Sequence, residues 1–198
     1  MSLFHALLDS PNLPWRRPAL DHHLQSNIPG LYAAGDLAGA PVVKLAMNQG
    51  HQVARRIAAE IRPSGELDVA VIGSGAAGLN AAFTLQDLGL RVAVFEKAPH
   101  LAATFADFPE GKWIYAEPRD LPAEGPLWLA EATKEEFLER WSQQAAERHL
   151  DLRLAEPVLA VQKNGSSFKV RTGKAEYTCQ RVILAAGQRG NPRHLNVP

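Results

Sequence analysis

Gly73, Gly75 and Gly78 stand in the run Gly73-Ser74-Gly75-Ala76-Ala77-Gly78, and Glu96 follows 18 residues after the last of them. The run comes directly after the apolar stretch 68–72 and opens a helical segment that closes on Gly89. A second apolar stretch, 91–95, ends at Glu96. Each residue type has a physical use in that order. The first glycine permits a tight turn, the second lets the backbone approach a pyrophosphate, and the third lets helix and strand pack closely. The amino end of the helix then offers free N–H groups and a partial positive charge to phosphate oxygens. Glu96 can accept both hydroxyls of a ribose. The glycines alone could be a packing turn; with a strand before them, a helix after them and the acid behind, they predict a bound dinucleotide. This spacing does not separate FAD from NAD.

Two further segments do. Ile28-Pro29-Gly30-Leu31-Tyr32-Ala33-Ala34-Gly35-Asp36, followed by a helix, resembles the Gly-Asp motif of the pyridine nucleotide-disulfide oxidoreductase superfamily. Arg181-Val182-Ile183-Leu184-Ala185-Ala186-Gly187, then Asn191-Pro192 and Asn196-Val197-Pro198, resembles that family's strand before the crossover to the NAD(P)H domain, with Ala186 in place of the usual Thr. Across residues 67–198 the chain is similar to thioredoxin reductase-like flavoproteins, in particular the branch with bacillithiol disulfide reductase-like proteins. The resemblance implies that Gly35 and Asp36 hold the ribityl and pyrophosphate region of FAD. It also implies that the backbone near Lys44, Leu45 and Ala46 faces the isoalloxazine, where a positive helix end would stabilise charge on reduced flavin. Lys97, Thr104, Val158, Ala185, Ala186 and Gly187 complete the expected cofactor-binding set. No catalytic residue is identified and no metal site is expected; His22-His23 has no ligand spacing with the other histidines and reads as a loop pair.

The chain departs from the family pattern in order and extent. The Gly-Asp segment precedes the glycine motif, which reads as a permuted arrangement in which strand, helix and a short linker feed the 68–72 strand. The chain stops where the NAD(P)H domain would begin, so the expected nicotinamide domain or electron-acceptor partner lies outside it. There is no Cys-x-x-Cys; the one cysteine, Cys179, precedes a buried strand and reads as structural.

The elements that must position these residues follow from periodicity. Pro41 suits a first helical turn, and Val42, Leu45, Ala46, Val53, Ala54, Ile57, Ala58 and Ile61 recur at helical spacing up to Pro63-Ser64-Gly65. Strand, helix and strand over 68–95 predict a parallel pair. Residues 97–132, rich in Pro, Gly and aromatics, predict a functional or partly structured loop, with 112–115 pairing 127–130. Its Thr104, Phe105, Asp107, Trp113 and Tyr115 either line the active site or cap the domain. Thr133 and Glu136 form a capping-box pattern before a helix whose Phe137, Leu138, Trp141 and Ala145 share a face. Residues 151–154 read as another strand of the main sheet. Residues 158–162, 167–172 and 175–178 read as a β-meander with an Asn-Gly turn at Asn164-Gly165.

The bulk composition sets limits. Apolar residues make up 46% of the 198, and 21 basic residues balance 21 acidic ones. That balance predicts no long-range attraction to nucleic acid or anionic membrane. The most apolar stretch, 67–82, is broken by glycines and short of the roughly 18–20 residues a span needs. One cysteine and no leader pattern predict a cytoplasmic protein.

The expected fold is α/β: a three-layer FAD/NAD(P)-binding Rossmann-like domain with a parallel sheet, helices on one face and an antiparallel β-meander on the other. Residues 1–66 supply the lead-in and Gly-Asp segment, residues 67–198 the Rossmann-like part, together one composite FAD domain. The expected function is the FAD-binding portion of a flavin-dependent oxidoreductase fed by NAD(P)H, with an unidentified acceptor. The rivals are a non-catalytic FAD- or nucleotide-binding regulatory or assembly module, a fragment inactive alone, and an NAD(P)-binding domain without flavin. The reading leaves a homodimer open.

Overall fold

The apolar runs become strands buried on both faces, as a parallel sheet under two layers requires. The computed structural model describes residues 18–187. The chain-terminal segments of the sequence reading, including Asn191-Pro192 and Asn196–198, lie outside the described residues. In chain order the elements are β1 (Leu31–Ala33), a 3-10 turn (Gly35–Ala38), α1 (Val43–Glu60), β2 (Val69–Ile72), α2 (Ala76–Asp87), β3 (Val92–Phe95), α3 (Ala103–Ala106) and β4 (Trp113–Ile114). Then follow β5 (Ala132–Thr133), α4 (Lys134–Glu147), β6 (Asp151–Arg153), β7 (Val158–Asn164), β8 (Ser167–Thr172), β9 (Glu176–Cys179) and β10 (Arg181–Leu184).

Five parallel strands form the central sheet in the order β1-β10-β2-β3-β6. Alternate side chains take opposite faces. Tyr32, Val69, Val71, Val94 and Ile183 pack with Val53, Ala54 and Ile57 of α1 and Ala81 and Leu85 of α2. Ala70, Ile72, Phe95, Val182 and Leu184 pack against Val161, Phe168 and Val170 of the antiparallel meander β7-β8-β9. The three layers match the sequence expectation. A further cluster of Phe83, Phe105, Phe137 and Trp141 fastens α4 and the 97–132 segment beside α2. Thr133 Oγ1 accepts from Glu136 N at 3.3 Å, the half of the capping box that starts α4.

The outer edge of β1 is covered by the chain just before it: Gln25 bridges Tyr32, Ser26 N donates to Leu31 O at 2.8 Å, and Ala33 N donates to Leu24 O at 3.0 Å. An exposed edge of unpaired backbone groups is thereby removed.

The expected pairing of 112–115 with 127–130 is corrected. β4 pairs with β5, Trp113 opposite Thr133 and Ile114 opposite Ala132. The backbone around 127 already has other partners. Leu127 N donates to Asn80 Oδ1 (3.0 Å), Trp128 N to Gln144 Oε1 (2.8 Å), and Trp128 O accepts from Trp141 Nε1 (2.8 Å). Groups satisfied by side chains in this way have nothing left for a ladder.

Candidate functional site

Parallel strands end on the same edge of a sheet, and ligands of open α/β sheets bind beyond that edge. Here one register row reads Ala33, Leu184, Ile72, Phe95 across four strands. The next step is also hydrogen-bonded: Ala34 N to Leu184 O (3.0 Å), Ala185 N to Ile72 O (2.8 Å), Gly73 N to Phe95 O (2.8 Å) and Glu96 N to Arg153 O (3.0 Å). Immediately past it lie Gly35-Asp36, Ala186-Gly187, the glycine loop and Glu96. The structure thus brings together segments far apart in sequence.

Within the loop, each glycine has its own constraint. A Cβ on Gly73, at φ +107°, would lie 2.4 Å from Ala185 O, and one on Gly78 would lie 2.0 Å from Gly73 O. Gly75 is different: nothing lies within 4 Å of the space its Cβ would take. The surface beside the amino end of α2 is therefore open. α2 has no side-chain cap, and its first intrahelical bond is Leu79 N to Gly75 O at 2.9 Å. That leaves the N–H groups of Ala76, Ala77 and Gly78 without helical partners.

Glu96 is 8% exposed and turned into this loop. Its Oε2 accepts from Ser74 N and Ser74 Oγ, both at 2.9 Å, and its Oε1 from Ala98 N at 2.9 Å. Ser74, fully buried, also binds the next turn, since Ala102 N donates to Ser74 O at 3.1 Å. The acid and the phosphate-type loop thus form one connected group.

The Gly-Asp turn is held by α1. Gly35 N donates to Gln49 Oε1 at 2.9 Å, and Asp36 sits half-buried in the 3-10 turn that leads to α1. A Cβ on Gly35, at φ +78°, would come within 3.1 Å of the Ala77 Cβ, so this turn lies against the first turn of α2. Lys44, expected near the ring, is buried and points its ammonium at the loop: Nζ donates to Pro118 O (2.7 Å) and Leu121 O (2.9 Å). Leu45 lines a cleft of about 240 Å3 with Gly39, Ala40, Gln49 and Leu121, while Ala46 packs in the helix-side core. Of the remaining expected residues, Lys97 and Thr104 are exposed, Val158 is half-buried at the start of β7, and Ala185 is buried. Ala186 is exposed and Gly187 half-buried past β10. Phe105 caps the aromatic cluster, whereas Trp113 and Tyr115 are 45% and 56% exposed.

Several organising residues escape a motif-based reading. Gly50 lies mid-helix in α1, where a Cβ would meet Ala77 O at 2.2 Å; a glycine inside a helical pattern is the signal that could have marked it. Asn80, fully buried, donates to Met47 O (2.7 Å) and Glu124 O (2.8 Å). On the meander side, Glu156 accepts from Thr172 Oγ1 (2.9 Å) and the Tyr177 hydroxyl (2.7 Å). Burial pushes its carboxyl up, but these hydrogen bonds and nearby Lys174 and Arg153 hold it below the usual range. Cys179 is buried and its thiol is pushed up to about 12 by burial, which keeps it unreactive. The His22 and His23 rings lie 3.8 Å apart at a tilt of 44°, and among the described residues no group of His, Cys, Asp and Glu is placed to hold a metal. No helix among the described residues is long and apolar enough to cross a membrane.

Comparison with known proteins points one way. The family model described as pyridine nucleotide-disulphide oxidoreductase matches residues 70–198. That match holds the glycine loop and Glu96 and leaves the Gly35-Asp36 segment outside it. A ferredoxin–NADP reductase of Streptococcus pyogenes serotype M3 is 34% identical over 120 residues, 61% of this chain and 34% of that protein. The chain thus spans about a third of the length of the curated relatives it matches. Among solved structures, a bacillithiol disulfide reductase from Bacillus cereus superposes with a TM-score of 0.57 at 25% identity, over 66% of this chain and 43% of that one. Its counterpart from Staphylococcus aureus gives 0.57 at 22%, over 66% and 41%. The thioredoxin reductase of T. acidophilum gives 0.52 at 24%, over 66% and 38%, a likeness of fold.

Proposed function

On the premise that this chain belongs to the pyridine nucleotide-disulphide oxidoreductase family, we propose that it is the FAD-binding part of a flavin-dependent oxidoreductase. By this reading hydride comes from NAD(P)H and the electrons leave to a small acceptor or a partner protein. The observation that carries it is the shared edge, where the Gly-Asp turn, the glycine loop, Glu96 and the end of β10 meet in one hydrogen-bonded row.

The residues present fit a flavin dinucleotide. Open space beside Gly75 and the unpaired N–H groups of Ala76, Ala77 and Gly78 suit a pyrophosphate. The inward-turned carboxylate of Glu96 suits ribose hydroxyls, exchanging its bonds to Ser74 and Ala98 for bonds to the sugar. Asp36, past the end of β1 at the same sheet edge, suits the ribityl chain. Lys97, Ala185, Ala186 and Gly187 stay in the proposed binding set on their nearness in sequence to these strand ends, and Thr104 and Val158 on the family resemblance alone. When bound, FAD supplies the hydride-accepting ring; the chain supplies orientation and electrostatics. The amino end of α1 places partial positive charge after the Gly-Asp turn, which favours added negative charge nearby. This reading calls for a nicotinamide-binding domain and an electron acceptor to work with the site.

Chain incubated with FAD and then freed of unbound flavin by gel filtration should stay yellow, absorb at about 450 nm, and release FAD identifiable by mass spectrometry. A colourless protein that takes up no FAD overturns the proposal. Extraction of NAD(P) alone would favour a nicotinamide domain instead.

A further inference from the structure

In the proposed flavin site, one half (β1, the Gly-Asp turn and α1) precedes the other (β2, α2, β3 and β10) in the chain, and residues 61–68 join them. Two arrangements could close such a site: both halves from one copy, or an exchange of β1–α1 between two copies with residues 61–68 as the hinge. Resting on the flavin reading above, we propose that the site closes within a single chain, with Asp68 as the latch on the connection.

The connection is fastened at the sheet edge opposite the site. Asp68 is fully buried, and its carboxylate accepts from Ser64 N (2.8 Å), Ser64 Oγ (2.7 Å), Arg91 N (2.9 Å) and Gln180 Nε2 (2.8 Å). Its own carbonyl accepts from Gln180 N at 2.9 Å, and Gln180 Nε2 also donates to Arg62 O at 3.0 Å. Arg91 reaches Gly65 O. One carboxylate thus ties the connection to β2, to the start of β3 and to the residue before β10. An exchanged hinge would have to straighten and abandon the bonds to Ser64 and Arg62. Charge-assisted bonds to a buried carboxylate are among the stronger ones, so this bend is held rather than idle.

The two halves meet through specific side chains, contacts that closure within one chain and exchange would form alike, so the distinction rests on the connection. Lys44, Asn48 and Gln52 stand on one face of α1 at i, i+4, i+8 spacing. Lys44 binds Pro118 O and Leu121 O, Asn48 binds Pro122 O (2.9 Å) and Glu124 N (2.8 Å), and Gln52 binds the Glu124 carboxylate. Between the helices Gly50 meets Ala77, and His51 Nδ1 lies 3.0 Å from Thr84 Oγ1.

The test co-refolds two variants from denaturant, each damaged in one half: Asp36→Ala, and Gly75→Leu, whose side chain enters open space rather than the core. Closure within one chain leaves every site with one defect, so the mixture should bind no more FAD than the variants separately. Exchange would create undamaged sites, about a quarter of the total after random pairing, and a recovery of that size overturns the proposal. Should the unaltered chain itself bind no FAD, the flavin reading has failed, and His51→Cys with Thr84→Cys decides closure without flavin. Oxidised, that chain should run as a cross-linked monomer on a non-reducing gel; a covalent dimer overturns closure within one chain.

Discussion

A Cβ placed on Gly50 would lie 2.2 Å from Ala77 O, so α1 and α2 cross backbone against backbone at the level of the glycine loop. Ala77 belongs to the first turn of α2, where a phosphate is expected, and its Cβ also meets the Gly35 position. Gly50 therefore sets how near the Gly-Asp turn can stand to the proposed pyrophosphate position. Gly50→Val should force the helices apart. Overpacking of this kind costs about 1–3 kcal/mol, and more where backbone rather than side chain must yield. The expected result is a lower urea midpoint together with weaker FAD binding by fluorescence titration. A variant as stable as the parent, with unchanged affinity, would show that the crossing is not constrained.

Glu96→Ala separates ligand binding from stability less cleanly, because Ser74 and Ala98 lose an acceptor. Glu96→Gln keeps the volume and one acceptor oxygen while removing the charge, but turns its NH2 toward the N–H of Ser74 or of Ala98, so a urea midpoint is read beside the affinity. Loss of a charge-assisted bond to a ribose hydroxyl is worth about 1.5–3 kcal/mol, so FAD affinity should fall by about one to two orders of magnitude, to about 150-fold at the upper end. Isothermal titration reads it directly. Unchanged affinity would place the ribose elsewhere.

How much of this was legible in the sequence depended on the range over which each signal acts. Gly73, Gly75, Gly78 and Glu96 are joined by a single strand-helix-strand unit, so short-range order in the chain sufficed to bring the acid to the loop. The side of the sheet taken by Gly35-Asp36 also followed, since a parallel strand feeding a helix must end on the same edge. The partner of β4 was not legible. It is decided by Asn80, Gln144 and Trp141, which satisfy the backbone at 127–128 from two different helices, and no local pattern announces such bonds. The side-chain partners of Lys44 were not legible either: the carbonyls at 118 and 121 come from a loop with no periodicity to align.

The latch at Asp68 should give stability a pH dependence. Burial pushes its carboxyl up, but the bonds from Arg91, Ser64 and Gln180 outweigh this and leave it below the ordinary value. A carboxyl with a lower folded than unfolded pKa stabilises the fold above the unfolded value, about 3.9. That stabilisation is lost as pH falls through the folded value. Asp68→Asn turns an amide NH2 toward backbone donors and should cost about 3 kcal/mol at pH 7. Urea midpoints of parent and variant should converge as pH falls below about 4. A gap that stays constant from pH 7 to pH 3 would mean the charge at Asp68 is immaterial.

Asn80 offers the most direct test of whether the 118–128 loop is held from below. Its side chain donates to Met47 O and Glu124 O and accepts from Leu127 N, all in a fully buried setting. Gly125 passes so close that a Cβ there would fall 2.5 Å from Asn80 Oδ1, which leaves no room for water to replace the amide. Asn80→Leu removes all three bonds while keeping the volume, and each stranded buried group costs about 1–3 kcal/mol. Gln144 and Trp141 still hold residues 126 and 128 from α4, so the strain falls where Asn80 alone serves the backbone, at Leu127 N and Glu124 O. Hydrogen exchange should therefore accelerate at Leu127 well before it does in β2 and β3. Uniform acceleration across the sheet would instead show that loop and core open as one unit.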